Sequence, residues 1–171
     1  AQNNGCCTVR ECLVVGSLQN KTGDVLAMGD SSEMIAWNNL VMNADPELYE
    51  FGDERRNAAI ACLYMGGANN GGLNAFLTNY SGMDGQEVLQ SLEKIGANAA
   101  AEQFREVLDS LGEHLPAATQ EERWDKLEQL WTGELDESDF LTAEADESLV
   151  AALEAHVSKH IDYYLKFTNT K

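Results

Sequence analysis

Two histidines near the end of the chain have the spacing of a metal-binding pair. His156 and His160 are four residues apart, which places both on one face of a helix. With Glu154 or Asp162 beside them, they would supply the donor atoms of a zinc site. The zinc-protease pattern H-E-x-x-H is incomplete, because Val157 follows the first histidine. We therefore interpret the pair as surface or packing residues and predict no metal site.

The four cysteines form no recognisable metal or disulfide pattern. Cys6, Cys7 and Cys12 lie close together, and Cys62 lies far from them. No histidine neighbours the first three, so a metal cluster there is not favoured. The sequence also has no apolar run long enough to span a bilayer and no signal-peptide pattern. These features favour reduced thiols in a cytoplasmic protein.

The common motifs of enzyme active sites are absent from the sequence. It contains no P-loop, no G-x-G-x-x-G and no G-x-S-x-G. An EF-hand calcium loop is not favoured either, because Asp136, Glu137 and Asp139 lack its alternation and its glycine. We predict no catalytic residues and no cofactor, and hence no enzyme. A hydrolase or metal enzyme built on the histidine pair is the least favoured alternative.

Negative charge is the strongest chemical signal in the chain. Its 29 Asp and Glu against 11 Lys and Arg give a net charge of −18. Residues 102–154 hold sixteen acids and three Lys or Arg, a net of −13. Such charge repels phosphates, which excludes a general nucleic-acid binder and docking on anionic lipid. It favours a basic partner.

The acids follow a regular pattern within this region. From residue 121 to residue 128 they recur three or four positions apart, which puts their Cβ atoms about 5–6 Å apart on one helix face. Seven more fall within TGELDESDFLTAEADES, residues 132–148. A rigid row of charges resembles a phosphate strand, which carries one charge per about 3.4 Å. The predicted partner-binding residues are Glu121, Glu122, Asp125, Glu128, Glu134, Asp136, Glu137, Asp139, Glu144, Asp146 and Glu147.

The same pattern of acids is also compatible with a surface that binds nothing. Acids on the outside of an amphipathic helix often form only a solvated face. Adaptation to salt would also produce an acidic chain, although it would not concentrate the acids in one third of it. Whether or not this surface binds a partner, replacing Asp136, Glu137 and Asp139 by Asn, Gln and Asn should leave the fold unharmed or slightly more stable, because repulsion between like charges falls.

The elements that position these residues are predicted to be mainly α-helical. Residues 1–30 form an N-terminal segment in which two apolar runs favour a short β-hairpin over residues 8–29. Residues 31–171 form a compact multi-helix domain, with caps and apolar stripes at helical spacing. The glycine-rich stretch GGANNGG, residues 66–72, is expected to form a tight turn between two helices. Asn69 and Asn70 are expected to cap the second of them.

Two later helices carry most of the predicted acidic surface. Thr119 and Glu122 form a capping box, and the helix that follows is expected to bury a stripe of Trp124, Leu127, Leu130 and Trp131 opposite its acids. Asp146 is expected to cap the last and longest helix, which runs to about Phe167. The acids of 134–147 would then lie between these two helices.

Four short motifs give the chain a family resemblance. They are NNGGLNAFLTNYSG (69–82), LEKIGA (92–97), Pro116 with Arg123 downstream, and LDESDF (135–140). Together they resemble a family of bacterial helical domains whose best-known member is an acidic DNA mimic, and the resemblance covers residues 33–165. Leu73 departs from the family, which usually has an aromatic residue there. Residues 1–30 have no counterpart in it.

The resemblance implies a mostly helical dimer whose acidic surface imitates duplex DNA. In the family, that surface occupies the DNA-binding face of a helix-turn-helix transcription repressor. Together with the charge count, this predicts a non-enzymatic homodimer that blocks a basic DNA-binding protein and does not bind nucleic acid itself. The alternative is a cytoplasmic immunity-type protein that neutralises a basic toxin or nuclease, because such a protein also needs acids.

Overall fold

The structure is a computed structural model that describes residues 32–79, 85–112, 119–131, 135 and 139–166. Within these ranges all regular structure is helical, which confirms the predicted mainly α fold. The hairpin predicted for residues 8–29 lies outside them. The elements are α1 (Ser32–Met42), a 3-10 turn η1 (Pro46–Leu48), α2 (Glu54–Asn79), α3 (Gly85–Ile95), α4 (Asn98–Leu111), α5 (Gln120–Leu130), α6 (Ala143–Lys159) and α7 (Ile161–Tyr164).

Local side-chain caps start several of these elements, including the predicted capping box of α5. Asp45 accepts a hydrogen bond from the Glu47 amide at the start of η1. Asp53 accepts one from the Arg55 amide, 2.8 Å away, at the start of α2. In the capping box of α5, the Thr119 hydroxyl accepts from the Glu122 amide and the Glu122 carboxylate accepts from the Thr119 amide. Each cap satisfies amides that the first helical turn leaves without partners.

The last long helix begins and ends earlier than predicted. Its cap is Thr142, whose hydroxyl accepts a hydrogen bond from the Ala145 amide, so Asp146 lies inside the first turn. A carboxylate there still favours the helix, because it faces the positive end of the helix dipole. The helix stops at Lys159 and the short α7 follows His160, so the predicted continuation to Phe167 is wrong.

The glycine-rich stretch separates two helices, as expected, but only at its last residue, Gly72, where they meet at a kink. Residues 66–71 still belong to the first helix, and the element α2 comprises both helices, 26 residues in all. Only Gly72 leaves helical geometry, at φ 80° and ψ 174°, a conformation that residues with a Cβ rarely adopt. The Asn70 side chain donates back to the Gly66 carbonyl and the Asn69 side chain donates to Asp146, so neither asparagine has its predicted capping role. We call the part after the bend, Leu73–Asn79, the half-helix.

Helix α2 is central to the packing of the described residues. It contacts α3, α5 and α6, while α4 packs against α3 and α6 and α1 packs against α7. Tyr64 and Phe76, on the two sides of the bend, meet edge to face with ring centroids 5.2 Å apart. Phe104 of α4 completes the cluster, 5.1 Å from Tyr64. None of the helices described is long and apolar enough to cross a membrane.

Candidate partner-binding surface

Helix α5 presents a row of three exposed acids. Glu121, Asp125 and Glu128 are all exposed, and their spacing of four and three residues places them on one face of the helix. We call these three residues the acidic row. Glu122 is also exposed, but its carboxylate already accepts the Thr119 amide at 3.1 Å. The structure therefore keeps all four of these predicted residues in solvent and gives one of them a capping role.

The opposite face of α5 differs from the predicted apolar stripe. Leu127 and Trp131 are buried as expected, but Trp124 is 60% exposed. Arg123 takes the buried position instead and is only 5% exposed. Its Nε and Nη2 atoms donate to the Thr78 carbonyl at 3.3 and 3.2 Å. This contact satisfies a carbonyl in the last turn of α2, where a cation is favoured.

Helix α6 contributes a second group of acids at its beginning. Glu144 and Glu147 are exposed. Asp146 is half-buried and accepts a hydrogen bond of 3.2 Å from the Asn69 side chain. The three residues lie in the first turns of the helix, where negative charge also stabilises the helix itself. Glu134, Asp136 and Glu137 fall outside the described residues, so their predicted role stays a prediction.

Asp139 has a contact within the fold that the sequence did not indicate. Its Oδ1 accepts the Asn74 amide at 2.8 Å, and its backbone carbonyl accepts the Leu73 amide at 2.6 Å. Asp139 therefore caps the half-helix from a distant part of the chain. A Cβ at Gly72 would lie 2.5 Å from Asp139 Oδ2, so only glycine fits under this cap. Because this carboxylate is engaged, we leave Asp139 out of the surface proposed below.

The half-helix is held at both ends by later parts of the chain. Asp139 holds its first turn, while Arg123 contacts the Thr78 carbonyl in its last turn. Gln120, at the start of α5, also donates to the side chain of Asn79 at 3.0 Å. A segment of seven residues spans about 9 Å at about 1.5 Å per residue. Two of the motifs behind the family resemblance therefore act as clamps that position α5 and the approach to α6.

Within the described residues, the acids that form salt bridges with Lys or Arg lie outside α5 and outside the start of α6. These salt bridges join Arg55 to Asp53, Arg56 to Glu87, Arg105 to Glu93 and Lys159 to Glu54. Within the described ranges, no salt bridge involves the acidic row or the two exposed acids of α6. The charge of these five carboxylates is therefore not compensated by the part of the fold that is described.

The histidine pair meets an acid that the sequence did not indicate. His160 Nε2 lies 3.2 Å from Oε2 of Glu54, which is 106 positions earlier in the chain, at the first residue of α2. His156 is buried and its Nε2 lies 3.0 Å from the Tyr164 hydroxyl. Burial, with the nearby His160, lowers the pKa of His156 to about 4, so this imidazole is neutral at pH 7. Glu154 and Asp162, the predicted neighbours, are not part of this group.

These observations define an all-α domain with an acidic surface whose charge has no partner among the described residues. A family model described as DMP19-like protein matches residues 50–163, well over half of the chain. The chain therefore belongs to the DMP19-like protein family. No curated protein and no solved structure matches it.

Proposed function

We propose that the protein is a non-enzymatic DNA mimic that acts in the cytoplasm. Its acidic surface occupies the DNA-binding face of a basic protein, a helix-turn-helix transcription regulator, and prevents that protein from binding DNA. The observation that carries this proposal is the set of five exposed carboxylates on α5 and α6, none of which forms a salt bridge within the described residues. Glu122 and Asp146 are not counted in the set because Thr119 and Asn69 already engage their carboxylates, and Glu134, Asp136 and Glu137 are expected to extend it.

The proposed contact is a series of charge-assisted hydrogen bonds. Arg and Lys side chains that normally bind phosphates would donate to these carboxylates, which offer the same charge and similar acceptor oxygens. Because exposed charges are screened within about 8 Å at physiological ionic strength and about 3 Å at 1 M salt, binding should weaken steeply as salt is added. Most of that loss should appear as slower association.

A matched pair of triple variants tests the surface. The first, Glu121→Gln, Asp125→Asn and Glu128→Gln, removes the charge of the acidic row. The control, Glu102→Gln, Glu106→Gln and Asp109→Asn, removes three exposed acids of the same types at the same spacing from α4. The partner is first captured from the source cell and identified by mass spectrometry. Its affinity for each variant is then measured, together with the ability of each to displace duplex DNA in a gel shift.

The two triple variants are expected to differ in their affinity for the partner. Each lost charge-assisted bond costs about 1.5–3 kcal/mol, so the acidic-row variant should lose at least about tenfold in affinity and the control much less. Equal affinities for the two variants and the unmodified protein would reduce the acidic row to a solvated face. A stable complex of partner, DNA and this protein together would contradict mimicry of DNA.

Trp124 favours a second candidate function, an immunity-type inhibitor of a basic toxin or nuclease. It is an exposed aromatic residue one turn from Glu121, and tryptophan is among the residues that dominate binding at protein interfaces. A phosphate mimic needs only charge, whereas an indole fits a specific apolar or arginine-lined pocket. If Trp124→Ala weakens partner binding more than the acidic-row variant does, and the partner is a toxin, this second function is favoured.

We also propose that the protein acts as a homodimer. Two chains with a net charge of −18 each repel one another, so the contact must be apolar. Exposed apolar side chains are available near the start of the described residues: Ile35 and Met42 on α1, Leu48 in η1, and Phe51, which is 87% exposed. Light scattering should find a dimer even at low ionic strength, and Leu48→Ser with Phe51→Ser should dissociate it. A monomer at micromolar concentration would contradict the proposal.

A further inference from the structure

Three metal-ligating side chains converge where α2 begins and α6 ends. Glu54, His156 and His160 each offer one donor atom, and these atoms all lie within 4.8 Å of one another. The two histidines come from the last turn of α6 and its C-cap, and their ring centroids are 4.5 Å apart. We call these three residues the histidine cluster. It is made of different residues from the acidic surface described above.

The donors of the histidine cluster suit a borderline transition metal. Two imidazoles and one carboxylate form a donor set found in zinc sites that keep a further position open. Calcium and magnesium prefer sets made only of oxygen. In a tetrahedral zinc site with bonds of about 2.0–2.2 Å, ligand atoms are about 3.3–3.5 Å apart. The 3.2 Å between His160 Nε2 and Glu54 Oε2 is already close to that value.

The surroundings of His156 prepare it as a ligand. The Tyr164 hydroxyl, 3.0 Å from its Nε2, gives the ring a hydrogen-bond partner of the kind that orients metal-binding histidines. His156 is also buried, so packing limits the movement of its ring. A cavity of about 410 Å³ lies beside His156 and Glu54, with Asn57 and Ala152 among its lining residues. Water and ions can therefore reach the cluster.

We propose that Glu54, His156 and His160 bind one divalent transition-metal ion, with Zn²⁺ the ion that their donors fit best, and that this ion links the start of α2 to the end of α6. In the structure, the ammonium of Lys159 pairs with Glu54 Oε2 at 2.6 Å and so competes with a metal ion for this carboxylate. Metal binding displaces Lys159, whose side chain is 62% exposed and can turn into solvent.

Zinc titration of the full chain tests this proposal. The protein carries Cys6→Ser, Cys7→Ser and Cys12→Ser, so that no cluster of thiolates competes for the metal, and it is first treated with a chelator. Calorimetry with Zn²⁺ should then show one ion per chain. At a free concentration about 100 times the dissociation constant, the ion should raise the melting temperature by about 5–10 °C.

Substitutions then locate the bound ion. Glu54→Gln and His160→Gln should each weaken Zn²⁺ binding by at least about tenfold, since each removes a direct ligand. Glu93→Gln is the matched control, because Glu93 is also an exposed helix glutamate in a salt bridge, and it should leave affinity unchanged. Circular dichroism checks that each variant is folded.

Lys159 provides a test that does not remove a ligand. Lys159→Gln should tighten Zn²⁺ binding, because it removes the competing cation, whereas Lys94→Gln at the edge of the same cavity should have a smaller effect. The proposal is overturned if the protein with Glu54, His156 and His160 unchanged shows no saturable Zn²⁺ binding. It is also overturned if the Glu54→Gln and His160→Gln variants bind Zn²⁺ as tightly as the Glu93→Gln variant. Weaker binding by Lys159→Gln would likewise contradict it.

Discussion

Replacing Asp139 by alanine should destabilise the fold, although the charge pattern alone suggests a neutral or slightly favourable change. The Asp139 carboxylate caps the half-helix through the Asn74 amide, while its backbone carbonyl bonds the Leu73 amide. Asp139→Ala keeps the backbone bond and removes the carboxylate. The lost cap costs about 0.5–2 kcal/mol and the lost charge at a helix N-terminus about 0.3–1 kcal/mol. We therefore expect a loss of about 1–3 kcal/mol in the free energy of unfolding.

Asp139→Asn separates the two parts of this effect. The amide oxygen of asparagine can still accept the Asn74 amide, so only the part due to charge, about 0.3–1 kcal/mol, should be lost. Urea unfolding gives the free energies, and melting temperatures should fall by about 2–4 °C for each kcal/mol. Glu128→Ala is the control, because its carboxylate is exposed and makes no salt bridge within the described residues. If Asp139→Ala were as stable as this control, the capping role of Asp139 would be wrong.

Three further predictions concern buried groups. Tyr64→Phe should raise the free energy of unfolding, measured in urea titrations, by up to about 1–2 kcal/mol. The buried Tyr64 hydroxyl has no hydrogen-bond partner among the described residues, and the substitution removes the free-energy cost of burying it unsatisfied. A loss of stability would instead indicate that the hydroxyl has a partner. Cys62 should resist alkylation until the protein unfolds, because burial raises the pKa of its thiol to about 12 and keeps reagents out, and peptide mass spectrometry with and without denaturant measures this. His156 should titrate near pH 4 in NMR spectra of chelator-treated protein. Because the pKa of His156 is lower in the folded than in the unfolded chain, its contribution to stability is fully present above about pH 6.5 and is lost as pH falls towards 4. At pH 5 the free energy of unfolding should have fallen by about 2 kcal/mol from this cause.

Local features of the fold could be predicted from the sequence because their causes are local. The capping box of α5 spans only Thr119 to Glu122, and the glycines that follow α3 and α4, Gly96 and Gly112, have positive φ angles that suit a helix end. The exposure of the acidic row follows from the same principle. Charge at helical spacing on one side of an amphipathic helix faces water.

Features that depend on distant contacts could not be predicted. The bend at Gly72 needs Asp139, which lies 65 positions after the amide of Asn74 that it caps. Arg123 displaces Trp124 from the interior because a carbonyl of α2, 45 positions earlier, needs a donor. For the same reason, helical spacing indicates Glu154 or Asp162 as neighbours of the histidine pair, whereas the structure places Glu54 there. Spacing indicates which residues share a face, but it cannot indicate what that face meets.

The two clamps on the half-helix also constrain the order in which the chain folds. Seven residues are too few for a helix to persist alone in water, since nucleation is unfavourable and few bonds repay it. The half-helix therefore depends on Asp139 and Arg123, and each contact closes a long loop. The first part of α2 can form early, while Leu73–Asn79 must wait until the C-terminal half of the chain has been synthesised and has docked. During translation, the apolar face of the half-helix, with Phe76 and Leu77, is thus exposed until that later part of the chain has docked.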